Sequence, residues 1–257
     1  MRIVIAGGTG TAGRVVVEQA VARGHQAVAL SRSAATPADL ISGAGLAEAL
    51  AGAEAVIDCS NLASQSRNKA ERFFVTAAKN LVHAAADAGA RHYVLLSIVG
   101  IDNVPMGYYH AKVAQEAALI ATATEAQLGY TIARTTQFHD FAGQLLSRLR
   151  KGPLAPIPHL RIQPVELAEV ARRLLDCAEG EPAGRVPDLG GPREEDLLNL
   201  VRQWLAHTGE RVRVITAPLP GRVGRAVQAG GLLVTDGEIR GRTFAEWLAD
   251  QPGSTAR

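Results

Sequence analysis

Tyr108 and Lys112 stand at positions i and i+4, and Ser97 precedes them at the end of the apolar run His92 to Leu96. On a helix, residues at that spacing lie one turn apart on the same face. A phenol at its reference pKa of ~10 exchanges its proton poorly at neutral pH. A lysine ammonium on the same face favours the phenolate and should bring that pKa toward the working range. A serine hydroxyl at the mouth of the sheet could hold a carbonyl oxygen by hydrogen bond. Together the three could move a proton to or from an oxygen. Tyr109 has the same ring without the spacing to Lys112, and a Tyr108 that merely lines a pocket is the competing reading.

The elements that must position these groups begin at the first residue. Ile3 to Ala6 is an unbroken apolar run, as expected of a parallel strand covered on both faces. Gly7, Gly10 and Gly13 follow, and then a helical pattern with Ala12, Val15, Val16 and Ala20 on one face. Each glycine has a physical reason in a strand–turn–helix that holds a dinucleotide: a sharp turn, a close approach of backbone to pyrophosphate, and close packing of helix on strand. The unsatisfied N–H groups at the helix start would face the phosphates. Gly7, Thr9, Gly10, Thr11, Ala12 and Gly13 are therefore candidate cofactor-binding residues.

Further apolar runs read as strands at Gln26 to Leu30, Ala55 to Asp58, His92 to Leu96 and Tyr130 to Arg134, alternating with helical patterns at Leu46 to Leu50, Arg67 to Ala88 and Ala114 to Leu128. After the strand ending at Leu30 comes Ser31-Arg32-Ser33, with no acid between Gln19 and Ala38. An acid there would bind an adenosine ribose, whereas Arg32 suits a 2′-phosphate, a contact worth roughly 1.5–3 kcal/mol. The expectation is NADP rather than NAD; a solvated loop arginine is the alternative. Ser60 and Asn61 fall at the carboxyl end of the Ala55 to Asp58 strand, where open parallel sheets bind ligands.

Bulk composition narrows the class. With 257 residues, 47% hydrophobic and 20% charged, the chain can bury one large core and reads as an ordinary globular protein. A net charge of +2 with dispersed arginines gives no reason to expect nucleic acid. No apolar stretch is long enough to span a bilayer, so no membrane partner is expected. Cys59 and Cys177 are too few for a disulfide framework and read as reduced cytoplasmic thiols. No metal is expected, because the seven histidines lack ligand spacing.

The glycine spacing G-x-x-G-x-x-G, the Ser97/Tyr108/Lys112 set and the later Pro164-Val165 segment with Val170-Ala171 together resemble the atypical short-chain dehydrogenase/reductases, most closely the NmrA-like branch. The resemblance runs over nearly the whole chain. It implies a Rossmann-like, doubly wound, mostly parallel sheet in which tyrosine protonates a substrate oxygen, serine holds it, and lysine binds the nicotinamide ribose. It also implies that Asp39, in Ala38-Asp39-Leu40, sits beside adenine after a trimmed loop. Gln137, Phe138 and His139 would lie against nicotinamide and substrate, with Asp140 orienting His139 or simply capping a helix. Residues 1–141 are expected to form the NADP-binding core, and 142–257 a substrate-capping region interleaved with it. In that region Lys151 to His159 reads as a proline-rich loop over the pocket, Gly221 to Gly231 as a mobile glycine-broken segment, and Gln251 to Arg257 as a frayed end. The expected function is NADP-dependent reduction of a small carbonyl or quinone-like substrate by hydride transfer, in a monomer or homodimer. The alternative is a non-catalytic NADP(H)-binding redox sensor with a protein partner.

Overall fold

The computed structural model describes residues 1–34, 37–62, 64 and 66–253. In chain order its first elements are β1 (Arg2–Ala6), α1 (Thr11–Ala22), β2 (Gln26–Leu30), α2 (Leu46–Leu50), β3 (Ala55–Asp58), α3 (Arg67–Asp87), β4 (His92–Ile98), α4 (Gly107–Glu125), β5 (Gly129–Thr135) and α5 (Phe141–Leu149). There follow β6 (Leu154–Pro158), β7 (Arg161–Ile162), α6 (Leu167–Glu179), β8 (Gly184–Arg185), β9 (Asp188–Gly190) and β10 (Glu195–Asp196). The chain continues through α7 (Leu197–Thr208), β11 (Arg213–Ala217), α8 (Gly221–Gln228), β12 (Gly237–Ile239) and α9 (Phe244–Ala249).

The main sheet runs β12-β9-β5-β4-β3-β1-β2, with β8 also paired to β5, and every pairing in it is parallel. Its central strands are apolar on both faces because both faces are covered: Ile3, Val4, Ile5 and Ala6 are fully buried. Leu81, Val82 and Ala85 of α3 and Leu119 and Ala123 of α4 pack with Val4, Tyr93 and Leu95 on one face. On the other, Val16 and Ala20 of α1 and Val170, Leu174 and Leu175 of α6 pack with Ile3, Ile5 and Val94. The strand order reverses at β1, whose neighbours are β2 and β3. Open α/β sheets bind ligands at such a reversal, at the strands' carboxyl ends.

The stretch between β2 and α2 carries no strand among the described residues, in line with its shortness. Asn80 of α3 instead donates to the carbonyls of Leu40 and Ile41 and ties that segment down.

A third core gathers Leu146, Ile157, Leu197, Val201, Val227, Phe244 and Trp247 from the C-terminal elements around Ile101 and Val104. Two expectations are corrected here. Lys151 to His159 is not a plain loop: Leu154–Pro158 is the strand β6, paired in parallel with β11. Pro156 and Pro158 are tolerated because this is a separate two-stranded sheet with open edges. Gly221 to Gly231 does not lack structure either. Its first part, Gly221–Gln228, forms α8, and Gly224 is needed there, since a Cβ would lie 1.7 Å from the Leu219 carbonyl oxygen. The expected fraying falls partly outside the described residues, at 254–257. Among the described residues no helix is long and apolar enough to cross a membrane.

Candidate functional site

The turn between β1 and α1 is built from backbone. Gly7 adopts φ 72° and donates its N–H to the Leu30 carbonyl at 2.9 Å, while Gly10 donates to the Gly7 carbonyl at 2.9 Å. A Cβ on Gly13 would lie 2.2 Å from the Gly7 oxygen, so only glycine lets helix and turn approach this closely. Gly10 caps α1 with no side-chain hydrogen bond, and the first turn, which carries Thr11, Ala12 and Gly13, holds no acid. The helix start is thus open to an anion, and Thr9, Gly10 and Thr11 are exposed around it. Across β1, the Ser60 hydroxyl at the end of β3 is buried without a partner. An uncapped helix start, a glycine cradle and an orphaned hydroxyl fit a dinucleotide.

At the end of β2, Arg32 is exposed and makes no hydrogen bond or ion pair among the described residues. The Asp39 carboxylate accepts from the Ile41 N–H at 2.9 Å and the Ser42 N–H at 2.8 Å. Those bonds, chiefly the one from Ser42, hold its carboxyl below the usual range, with the Arg32 guanidinium adding in the same direction.

Tyr108 and Lys112 enter on the first turns of α4. The Tyr108 hydroxyl donates to Asn61 Oδ1 at 2.8 Å, linking α4 to the segment after β3. Its ring stacks edge-on to Phe74, with centroids 5.7 Å apart. Burial pushes the Tyr108 pKa up to about 12, and the cation opposing the rise is Arg148 of α5. Lys112 is instead buried beneath, donating to the Leu96 carbonyl at 3.0 Å and to Gln115 Oε1 at 2.6 Å. Two of its three N–H donors are so used.

Ser97 does not open onto the cleft. Its hydroxyl, 1% exposed, donates to Glu116, which Arg134 grips with Nε at 2.8 Å and Nη2 at 2.5 Å. Ser97 shares a face of β4 with Tyr93 and Leu95, and that face is covered by α4. His139 is likewise closed in. It is 1% exposed, its Nε2 pairs with the Arg242 carbonyl at 3.0 Å, and its ring lies 5.2 Å from Trp247. Asp140 makes no side-chain cap to α5 and does not orient His139. Phe138 packs on the α1 and α6 side of the sheet. Gln137 leaves both amide atoms buried without hydrogen-bond partners but lies beside the Tyr109 phenol, which burial pushes up to about 12. Tyr108, Tyr109, Asn61 and Gln137 thus stand around the ends of β3 and β5, whereas Ser97 and His139 are committed elsewhere.

The buried polar network around Lys112 is not evident from the sequence. Asp58, Gln115, Glu116 and Arg134 are all buried. Two signals were available: Gln115 and Glu116 lie at i+3 and i+4 from Lys112, and Arg134 is a charge inside the apolar run Tyr130 to Arg134. Among the described residues no cluster of His, Cys, Asp and Glu could hold a metal ion.

Comparison with known proteins bears on this geometry. A family model described as NAD(P)H-binding matches residues 7–179. The chain is 27% identical over 220 residues to the chloroplastic divinyl chlorophyllide a 8-vinyl-reductase of Cucumis sativus, across 74% of this chain and 52% of that protein. It is 30% identical over 240 residues to the Photosystem II assembly factor Ycf39 of Synechocystis sp., across 85% of this chain and 71% of that one. The chain thus spans about half the length of the curated reductases it matches. Among solved structures, MoeE5 in complex with UDP-glucose and NAD superposes with TM-score 0.76 at 19% identity, covering 98% of this chain and 97% of that one. The Thermus thermophilus UDP-glucose 4-epimerase complex with NAD gives 0.69 at 18% identity, covering 91% and 94%. At these identities the likeness is one of fold alone.

Proposed function

The chain belongs to the NAD(P)H-binding family as an atypical short-chain dehydrogenase/reductase, and from that premise we propose that it is an NADP-dependent oxidoreductase reducing a small carbonyl or quinone-like compound. The observation that carries this reading is Tyr108. It is a half-buried phenol on the first turn of α4, aimed by Asn61 at the segment after β3, with burial keeping it protonated at neutral pH.

When bound, NADPH supplies the hydride. The chain's own part is to hold, orient and protonate. The Gly7 to Gly13 turn would hold the pyrophosphate on backbone N–H groups, and the Ser60 hydroxyl is available on the same side. Arg32, exposed and without a direct ion pair among the described residues, would be the donor fork for a 2′-phosphate. The remaining Lys112 N–H would be the donor for a ribose hydroxyl. Tyr108 gives its proton to the substrate oxygen as negative charge develops there. Gln137 offers one donor and one acceptor to a polar group of the substrate.

A second reading rests on a specific observation. With the Ser97 hydroxyl turned to Glu116, this site lacks the hydroxyl expected to hold a carbonyl. That suits a redox sensor that binds NADP(H) without turnover, and one relative is described as an assembly factor.

One experiment separates the readings. NADPH and NADH affinities are measured by titration, and NADPH oxidation is followed against aldehydes, ketones and quinones. We expect tighter NADPH binding, turnover of at least one acceptor class, and loss of the NADPH preference in Arg32→Ala with NADH affinity nearly unchanged. Equal affinity for both cofactors would refute the NADP assignment. Tight NADPH binding with no oxidation of any acceptor would move the sensor reading ahead.

A further inference from the structure

Lys112 has two carboxylates within electrostatic reach, Asp58 at the end of β3 and Glu116 one turn along α4. They are not equivalent. Glu116 is matched by the guanidinium of Arg134, which grips both its oxygens. Asp58, 1% exposed, has no cation in direct contact among the described residues; its partners are the Ser60 N–H at 2.8 Å, the Tyr93 hydroxyl at 2.8 Å and Gln115 Nε2 at 3.1 Å. Gln115 is fully buried, and the other end of its amide accepts from Lys112 at 2.6 Å. Chemistry fixes that amide's orientation. A lysine ammonium has only donors and a carboxylate only acceptors, so a flipped amide would set like against like at both ends. The other groups facing the ammonium carry no charge at neutral pH. Burial pushes the Cys59 thiol up, burial and Asp58 raise the Tyr93 phenol, and α3 presents the Phe74 ring 5.0 Å away.

We propose that Asp58 and Gln115 are the positioning residues of Lys112: the carboxylate supplies its buried counter-charge, and the amide carries that interaction to the ammonium and leaves one N–H for a bound cofactor. Two of the three N–H groups are pinned, to Gln115 and to the Leu96 carbonyl at 3.0 Å, so the direction of the third is set by the frame. Burial by itself pulls the lysine below its ordinary range, and Asp58 is the largest influence opposing that. Only the last clause of the proposal rests on the cofactor reading given above.

The test is a titration of lysine side-chain resonances by NMR in the full-length protein. The chain has four lysines, and Lys69, Lys79 and Lys151 are exposed, so Lys112 stands apart. Asp58→Asn should move the Lys112 titration down by about one pH unit or more. Gln115→Met should move it the same way, and it serves if Asp58→Asn does not fold. Tyr93→Phe removes a donor from the same carboxylate but keeps the charge and the amide, so it should leave the lysine where it was. In parallel, both relay variants should weaken NADPH binding about tenfold, as for a charged hydrogen bond lost or misdirected. An unmoved Lys112 titration in the relay variants overturns the proposal. So does a shift in Tyr93→Phe as large as in Asp58→Asn, which would mark a general loosening of the core. If the titrations move as stated but the unaltered protein binds no NADPH, the cofactor reading fails and the positioning of the lysine stands.

Discussion

Tyr108 is surrounded by groups that keep it neutral. Phe74 and Tyr109 flank the ring, Asn61 accepts from its hydroxyl, and burial pushes its pKa up to about 12. A phenol held protonated is a donor, which suits reduction. Tyr108→Phe removes only the hydroxyl, so folding and NADPH affinity should survive while reduction slows by ~10²–10⁴-fold. Tyr109→Phe should cost far less, because Tyr109 is buried beside the site. Because the phenol loses its proton only near the raised value, any reduction rate of the unaltered protein should show no fall assignable to Tyr108 across neutral and mildly alkaline pH. Full reduction rates in Tyr108→Phe would place the proton source elsewhere, in water or another side chain.

At the scale of elements, the decisive one is the turn joining β1 to α1. Its geometry needs glycine for two separate reasons: a left-handed φ of 72° at Gly7, and the absence of any atom where the Gly13 Cβ would stand. Gly13→Ala forces the helix off the strand, at an expected cost of ~1–3 kcal/mol, and should lower NADPH affinity by misplacing the helix start. Gly24→Ala is the control. Gly24 has φ 80° with open space around it, so the variant should lose ~1–2 kcal/mol of stability with cofactor affinity unchanged. Urea midpoints and NADPH titrations on the two variants separate strain from cofactor contact. Equal affinities in Gly13→Ala and the unaltered protein would show that the turn does not carry the phosphates.

For the whole molecule, the central question is how the C-terminal third is fastened to the sheet. Strands β8, β9 and β12 join the sheet itself, α6 packs on α1, and α9 closes over His139 with Phe244 and Trp247. His139 sits at that junction in neutral form, its pKa lowered from 6.5 by burial. With the folded value below the unfolded one, the unfolded chain takes the proton first. The contribution of His139 is therefore fully present above about pH 6.5 and declines as pH falls below it, at up to ~1.4 kcal/mol per pH unit. His92 is shifted in the same direction, so the informative quantity is a difference. Urea midpoints measured between about pH 5 and 8 should fall more steeply on acidification for the unaltered protein than for His139→Gln. Parallel slopes would mean that the ring is accessible to protons in the folded state.

The sequence by itself determined the parallel sheet, because strands buried on both faces must be apolar throughout, as Ile3 to Ala6 and Ala55 to Ile57 are. It also determined the dinucleotide turn, whose glycines are demanded by local geometry, and the helical pairing of Tyr108 with Lys112, which needs only the i+4 spacing. The C-terminal elements were less legible: α8 is broken by glycines and β6 by prolines, and both exist because of what they pack against. Tertiary structure alone decided where the polar side chains point. Whether Ser97 faces a cleft or Glu116 depends on α4 lying over its face of β4. Whether Lys112 acts on Tyr108 or on Gln115 depends on Asp58 arriving from a strand distant in sequence. Buried donors and acceptors must be paired, and spacing along the chain cannot say which partners the fold will bring to them.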